Sequence, residues 1–229
     1  MSRMAITGES VARIKHKWLQ HAPHLWWGDR LDARFLVVDA IRSVADARVL
    51  DIGCNAGIML SELSPTNRRF GLDRSTAAIQ LARKLNPSVP IVTGDMLALP
   101  YRDGTMDVVL FCGMLELPEP DRKPDAVAEA ARVLKPGGRL YLTTLNRRYR
   151  RYRRTSAMRP VTFEQLRLLL SPYFDCAIKG FNPCPPFPFF LPNRILARAP
   201  GIWWLLTWLM ERNVGTRASC TFYVEAVRK

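Results

Sequence analysis

A glycine-rich stretch and an aspartate beyond it are the residues whose types and spacing best indicate chemistry in this sequence. Residues 48–57 read RVLDIGCNAG, in which a short apolar run stops at Gly53 and a second glycine follows at Gly57. Bare backbone at such a turn lets a ligand approach closely, and a helix that starts there presents unpaired N–H groups. Asp73 ends the next apolar run, about twenty residues further on. Because a carboxylate at that place accepts hydrogen bonds from ribose hydroxyls, the pair indicates a nucleoside-containing ligand.

The spacing of the glycines narrows the class of nucleoside ligand. A dinucleotide fingerprint requires G-x-G-x-x-G, but Asn55 and Ile58 stand at the second and third glycine positions counted from Gly53. A phosphate-binding P-loop, G-x-x-x-x-G-K-[ST], does not match either. The turn therefore suits a nucleoside without phosphates, held by its ribose and by the chain that it carries.

At these residues the chain resembles the class I S-adenosylmethionine-dependent methyltransferases of the small-molecule, "type 11"-like kind, whose first motif typically reads V-L-D-[IV]-G-C-G-x-G. Residues 49–57 depart from that motif at Asn55, where the family usually has glycine. Asn is the non-glycine residue that best tolerates left-handed backbone angles, so we expect the turn to be kept. The resemblance implies S-adenosylmethionine as the cofactor and methyl transfer as the reaction.

Two longer matches extend the resemblance. Residues 95–109 are similar to the family pattern D-x-x-x-L-P-[FY]-x-[DE]-x-x-F-D-x-V, with Met106 in place of the usual Phe. In the family an acidic residue at the position of Asp95 faces the adenine amino group, and the position of Met96 flanks the ring. Residues 129–138 look like E-x-x-R-V-L-K-P-G-G, a phrase whose role is structural because it sets a helix-to-strand turn.

The matched positions and the predicted strand ends together give a set of candidate cofactor-binding residues. These are Asp51, Gly53, Cys54, Asn55, Gly57, Asp73, Arg74, Gly94, Asp95, Met96, Phe111 and Cys112. No metal site is expected, because His16, His21 and His24 lie close together but match no known ligand spacing.

Catalysis by such a protein requires alignment more than a dedicated catalytic group. An acceptor lone pair held about 3 Å from the methyl carbon, in line with the departing sulfur, supplies most of the rate. Many relatives carry His before the Pro at the end of the fourth strand, whereas this chain has Leu117 before Pro118. Residues that could act as a base are His24, Glu116 and Tyr149.

The elements that must position these residues alternate between strands and helices. Apolar runs predict strands over 49–52, 70–72, 89–93, 107–112, 139–144, 173–181 and 220–227. Helices are predicted over 8–19, 31–44, 58–63, 75–84 with Ser75 as N-cap, 125–134, and 161–170 capped by Thr162. The resemblance implies an α/β fold: a Rossmann-like, seven-stranded, mostly parallel sheet with an antiparallel last strand and helices on both faces. Ligands bind at the carboxyl ends of the strands in such a sheet.

Composition and charge bound what the chain can be. Its 229 residues, 48% hydrophobic and 24% charged, fit one globular α/β domain with a small appendage. The net charge of +14 predicts attraction to a polyanion, either nucleic acid or an anionic membrane surface. The five cysteines show no metal spacing, which favours buried thiols in a reducing compartment. The first 20 residues have no apolar core typical of a secretory signal, so we expect a cytoplasmic protein.

Three segments stand apart from the domain pattern. Residues 1–30 are expected to form a cap over the cofactor mouth, ahead of a methyltransferase domain over 31–229. Residues 147–154 hold six arginines and two tyrosines, and residues 182–217 form a Pro/Trp-rich apolar insertion. That insertion could be buried, could join a dimer, or could contact the inner face of a membrane, where Trp prefers to lie.

Three functions remain open from the sequence. The first is methylation of a small hydrophobic or lipid-like acceptor, such as an isoprenoid quinone precursor. The second is RNA methylation, with the arginines of 147–154 binding phosphates, although the amino-methylating signature [DN]-P-P-[FYW] is absent after the fourth strand. The third is a binding protein that keeps the fold without catalysis.

Overall fold

The computed structural model describes residues 34–148, 158–183 and 219–229. The predicted cap over 1–30, its helix over 8–19, residues 149–154 of the arginine-rich segment and residues 184–217 of the apolar insertion lie outside the described residues. The predictions made for those segments therefore remain predictions.

The described residues form one seven-stranded sheet. Its strands are β1 (Arg48–Ile52), β2 (Arg68–Asp73), β3 (Ile91–Thr93), β4 (Met106–Cys112), β5 (Leu134–Leu145), β6 (Phe174–Pro183) and β7 (Ser219–Arg228). Their order across the sheet is β3-β2-β1-β4-β5-β7-β6. The pairs from β3 to β5 are parallel, whereas β7 runs antiparallel to both of its neighbours. The carboxyl ends of β1 to β5 therefore meet at one edge of the sheet.

Helices cover both faces of this sheet. They are α1 (Arg34–Ile41), α2 (Ile58–Glu62), α3 (Thr76–Leu85), α4 (Lys123–Val133) and α5 (Phe163–Leu170), with a short 3-10 turn before α4 at Pro120–Arg122. Buried residues of α1, α2 and α3 form one core on one face, and those of α4 and α5 form a second core on the other. This arrangement confirms the predicted fold class.

Side-chain caps explain where two of the helices begin. The hydroxyl of Ser75 accepts the backbone N–H of Ala78 over 3.2 Å. The hydroxyl of Thr162 accepts the N–H of Gln165 over 3.2 Å, while the Gln165 side chain accepts the N–H of Thr162 over 2.9 Å. Both predicted N-caps are confirmed, the second as a reciprocal capping box.

β5 begins earlier than the sequence predicts. Leu134 already pairs with Met106 of β4, and the register then shifts so that Arg139 pairs with Val108. Gly137 lies inside this shift and adopts a φ of 75°, which favours glycine. The K-P-G-G turn is therefore an irregularity within the strand, and the predicted start of the strand at residue 139 was too late.

Other boundaries differ by a few residues. β3 starts at Ile91 rather than residue 89, because Pro90 has no N–H to add to a ladder. β6 and β7 are longer than predicted, since their antiparallel pairing continues to Pro183 and Ser219. No helix within these described ranges is long and apolar enough to cross a membrane.

Candidate active site

Asp73, at the end of β2, joins three loops at the carboxyl edge of the sheet. The backbone N–H of Asn55 donates to Oδ2 of Asp73 over 2.9 Å, and that of Ser75 donates to Oδ1 over 2.9 Å. The N–H of Gly94 donates to the backbone carbonyl of Asp73 over 3.0 Å. An ionised carboxylate has about four lone-pair sites, so Asp73 retains capacity to accept ribose hydroxyls.

The turn after β1 is built from left-handed residues. Gly53 has a φ of 73°, Asn55 of 48° and Gly57 of 72°. The N–H groups of Gly53 and Cys54 both donate to the carbonyl of Leu72 in β2, over 2.7 and 3.0 Å. Asn55 thus adopts the left-handed conformation expected of it, and the turn is kept without the usual glycine.

Asn86, at the end of α3, holds the turn from behind. Its side-chain amide donates to the carbonyl of Gly57 over 2.9 Å and to that of Ala82 over 3.2 Å. It is 4% exposed, and a Cβ built on Gly57 would lie 2.6 Å from its Nδ2. Sequence reasoning missed this residue, because an Asn before a Pro reads as an ordinary end of a helix.

Met114, in the loop after β4, lies directly against Gly53. A Cβ built on Gly53 would overlap the Sδ atom of Met114. The close approach that Gly53 permits is therefore used by a thioether, a flexible and polarizable side chain that adapts to what it contacts. Met114 follows the predicted site residues Phe111 and Cys112 at the carboxyl end of β4, so the sequence indicated its region but not its contact with Gly53.

Two carboxylates, those of Asp51 and Asp73, lie close enough to the turn to act on the Cys54 thiol. Asp51 is 2% exposed at the end of β1. Burial raises the pKa of the Cys54 thiol, and the charges of Asp51 and Asp73 raise that pKa further. Cys54 is therefore a neutral thiol at physiological pH, and the surrounding carboxylates favour a cationic ligand over a phosphate.

The remaining predicted cofactor residues are either buried in the core or partly or fully exposed at the surface. Met96 is 5% exposed and the Phe111 ring is fully buried, so both belong to the core on the α4 and α5 face. Cys112 is half-buried against the other core, and Arg74 is exposed at the start of α3. The structure thus brings Asn55 into direct contact with Asp73 and Gly53 into contact with Leu72, whereas the ring of Phe111 is fully buried in the core.

The loop that carries Asp95 is fastened by the E-x-x-R pair of α4. Asp95 caps its own turn by accepting the N–H of Leu97 over 3.0 Å. Glu129 accepts the N–H of Leu99 over 2.7 Å, and Arg132 donates to the carbonyls of Leu99 and Tyr101 over 3.0 and 2.8 Å. The two family motifs are therefore one structural unit, in which the helix holds the loop beside β3.

Glu116 is the only base candidate within the described part of the chain, since His24 and Tyr149 lie outside it. Glu116 is 5% exposed, and its Oε2 accepts the hydroxyl of Thr144 over 2.9 Å. Its backbone carbonyl accepts the N–H of Arg159 over 2.7 Å. These contacts place a buried carboxylate in the loop after β4, two residues beyond Met114.

Neither metal binding nor disulfide formation is indicated in the part of the chain that the structure describes. Over residues 34–148, 158–183 and 219–229 no cluster of His, Cys, Asp and Glu could hold a metal ion. Cys54 and Cys220 are buried free thiols, and Cys112 and Cys176 are half-buried ones. Cys184 and the three histidines lie outside the described residues.

Fold and site together define a class of protein. A sheet in this order, with a bare turn after β1, a carboxylate at the end of β2 and no phosphate-binding loop, is a Rossmann-like nucleoside-binding domain. Residues 50–142 match the family described as "Methyltransferase domain". Residues 50–142 therefore carry a methyltransferase domain, whose family and fold are those of the class I S-adenosylmethionine-dependent methyltransferases and imply that cofactor.

Two relatives that are named as methyltransferases match part of the chain. It is 34% identical over 109 residues to a demethylmenaquinone methyltransferase of Renibacterium salmoninarum, covering 47% of this chain and 45% of that protein. It is 32% identical over 146 residues to a ubiquinone biosynthesis O-methyltransferase of Burkholderia cenocepacia, covering 56% and 61%. The chain thus spans about half the length of these relatives.

A solved structure matches nearly the whole chain. It is a SAM-dependent methyltransferase of Thermotoga maritima, with a TM-score of 0.62, 17% sequence identity, and coverage of 96% of this chain and 97% of that one. At this identity the similarity establishes the fold.

Proposed function

We propose that this protein transfers a methyl group from S-adenosylmethionine to a small, hydrophobic, lipid-like acceptor. The observation that carries the proposal is the contact of the left-handed turn at Gly53–Gly57 with the carboxylate of Asp73. The similarity to quinone-pathway methyltransferases supports the choice of acceptor class.

The residues present fit the cofactor. Asp73 has acceptor capacity left for ribose hydroxyls after binding the N–H groups of Asn55 and Ser75. Asp95 is the residue that would accept the adenine amino group, by its match to the family motif. The negative charges of Asp51 and Asp73 suit a sulfonium, which is cationic.

The chain's own contribution is binding and alignment. S-adenosylmethionine, when bound, supplies a methyl group that its positively charged sulfur already activates. Met114 gives the turn an apolar side wall, which suits a hydrophobic acceptor. Holding the acceptor against this wall raises the rate of methyl transfer, because the acceptor loses translational and rotational freedom before the reaction.

Label transfer tests the proposal. The protein is incubated with methyl-labelled S-adenosylmethionine and, separately, with a phenolic isoprenoid quinone precursor and with total RNA. We expect label in the organic phase of the first reaction, and its loss in an Asp73→Ala variant. Label found in RNA alone would favour the alternative in which the arginines of 147–154 bind phosphates. No heat in a titration with S-adenosylmethionine would favour a binding protein without catalysis.

We also propose that the protein meets a lipid-like acceptor at an anionic membrane surface. The net charge of +14 and the exposed Arg147 and Arg148 support this, because basic side chains near anionic lipid contribute about 1 kcal/mol each. Sedimentation with phosphatidylglycerol vesicles, compared with phosphatidylcholine vesicles, tests it. Equal recovery in both pellets would contradict the proposal.

A further inference from the structure

A cavity of about 620 Å³ lies beside α4 and α5, away from the cofactor turn. Its walls are the 3-10 turn and the start of α4, Arg147 after β5, residues 158–161, and α5 with the turn that follows it. None of the predicted cofactor-binding residues lines it. The cavity is therefore distinct from the cofactor turn, and binding to it can be measured separately from binding of S-adenosylmethionine.

The walls of this cavity are apolar and partly open to solvent. Leu168 is 63% exposed and Tyr173 is 38% exposed, and both line the cavity. Only two other large apolar side chains are as exposed within the described ranges, Leu117 and Val227. Four prolines also line the cavity, at positions 120, 124, 160 and 172, and proline has no backbone N–H to offer a ligand. Exposed apolar side chains gathered at one concave surface indicate a binding site.

The polar groups of the cavity wall are mainly cations. Lys123, Arg147 and Arg159 line it, and no carboxylate is among the described lining residues. Two carboxylates lie near these cations: Glu119 pairs with the guanidinium of Arg159, and buried Glu116 interacts with Lys123. The three cations outnumber the two carboxylates, so these five side chains together carry a net positive charge.

We infer that this cavity binds a lipophilic anion, with its hydrocarbon chain against Leu168 and Tyr173 and its carboxylate or phosphate head at Arg147 and Arg159. Charge complementarity selects the head, because guanidinium groups form charge-assisted, bidentate hydrogen bonds with both kinds of oxyanion. The apolar wall selects the chain, since it buries hydrocarbon that would otherwise contact water.

Titration of the full-length protein with short-chain amphiphiles tests the inference. The probes are decyl phosphate, decanoate and the neutral decanol, each kept below the concentration at which it aggregates. We expect at least one anion to bind about tenfold more tightly than decanol, the preference that a charge-assisted contact provides. Tight binding of decyl phosphate alone would assign the head to phosphate, and tight binding of decanoate alone would assign it to carboxylate.

Matched variants locate the binding. Arg159→Gln should remove the preference for the anions, and Leu168→Glu should weaken all three probes about tenfold or more. The controls are Arg122→Gln, which removes an exposed arginine of the neighbouring turn, and Val227→Glu, which changes an exposed apolar residue outside the cavity. Affinity for S-adenosylmethionine should stay unchanged in all four variants, which separates this inference from the proposed function. Equal binding of decanol and the anions, or cavity variants that bind like the parent, would overturn the inference.

Discussion

The backbone N–H of Asn55 donates to the carboxylate of Asp73 over 2.9 Å, and this contact ties the turn after β1 to the end of β2. Replacing Asp73 by Ala removes that acceptor and the acceptor for the N–H of Ser75. We expect the free energy of unfolding to fall by about 1 to 3 kcal/mol, because two backbone donors lose a charged partner. Affinity for S-adenosylmethionine should fall at least about tenfold, as measured by calorimetry, because the ribose loses its acceptor too.

The control for Asp73→Ala is Asp121→Ala, which removes an exposed carboxylate in the 3-10 turn before α4. Asp121→Ala should change neither the free energy of unfolding nor the affinity for S-adenosylmethionine appreciably. Asp73→Asn should be intermediate, since an amide keeps one acceptor oxygen. A folded Asp73→Ala protein with unchanged cofactor affinity would contradict the ribose role.

Gly53 and Gly104 offer a second test of the turn. Both have positive φ angles, 73° and 60°, so substitution by Ala strains both backbones by about 1 kcal/mol. A Cβ on Gly53 would collide with Met114, whereas a Cβ on Gly104 would meet nothing within 4 Å. We expect similar losses in unfolding free energy, because the Met114 side chain can move. Calorimetry should show weaker cofactor binding for Gly53→Ala only.

The double variant Gly53→Ala/Met114→Ala separates collision from strain. If Met114 is displaced into the cofactor pocket by the new methyl group, the double variant should recover part of the lost affinity. An affinity for the double variant as low as that for Gly53→Ala would show that the bare backbone itself is what the cofactor needs.

Local patterns were enough to predict the order of strands and helices. The apolar run at 49–52 lies in β1, and the glycines at 53 and 57 adopt the left-handed angles that end it. The N-caps at Ser75 and Thr162 followed from residue type alone. Strand ends were predicted less well, because pairing with a neighbouring strand decides them. Leu134, for example, belongs to β5 because it pairs with Met106 of β4.

The contacts that support the turn from distant parts of the chain could not be predicted. Asn86 bonds to Gly57, which lies 29 positions earlier, and no short pattern connects the two. Met114 contacts Gly53 because β4 lies next to β1 in the sheet. The same limit hid the cavity beside α4 and α5, whose wall is built from residues that come together only in the fold. Motif matching located the cofactor turn, whereas the residues that support it could be identified only from the folded structure.

Arg132 is expected to be one of the most important polar side chains for stability. It donates to both oxygens of Glu129, to Asp103, and to two backbone carbonyls of the loop that carries Asp95. Arg132→Ala should lower the free energy of unfolding by about 2 to 4 kcal/mol, because several buried or half-buried groups lose their partner. Arg122→Ala, which breaks the exposed pair with Asp125, should cost about 0 to 1 kcal/mol. Urea unfolding of the two variants checks the difference, and equal losses would contradict it.

The same network predicts an acid dependence of stability. Hydrogen bonds from Arg132 hold the pKa of Glu129 below its ordinary value of 4.5, although burial opposes them. A carboxyl whose folded pKa is lowered contributes stability above its unfolded pKa and loses it as the pH falls through the folded value. Glu129→Gln should therefore be less stable than the parent at pH 7, and the gap should narrow as the pH falls below about 4.5. A gap that stays constant with pH would show that the charge of Glu129 contributes nothing.

Lys123 predicts a second rise of stability with pH, this time in the alkaline range. Burial lowers its pKa from 10.5 to about 8, even though Glu116 and Glu119 favour the charged form; Arg159 lowers it further. Between about pH 8 and pH 10.5 the unfolded chain still binds a proton that the folded chain has released. The free energy of unfolding therefore increases as the pH rises through this range. The total gain is about 3 kcal/mol, the equivalent of a shift of this size.

Lys123→Met removes this titration together with the hydrogen bond from Nζ to the carbonyl of Leu115. The loss of the bond is similar at each pH, whereas the penalty of a buried charge is present in full only below about pH 8. The stability of the variant relative to the parent should therefore fall as the pH rises from 7 to 10. Urea unfolding at both pH values measures it, with Lys84→Met, an exposed lysine of α3, as the control for losing one positive charge. If the parent and Lys123→Met curves run parallel, burial does not shift the pKa of Lys123.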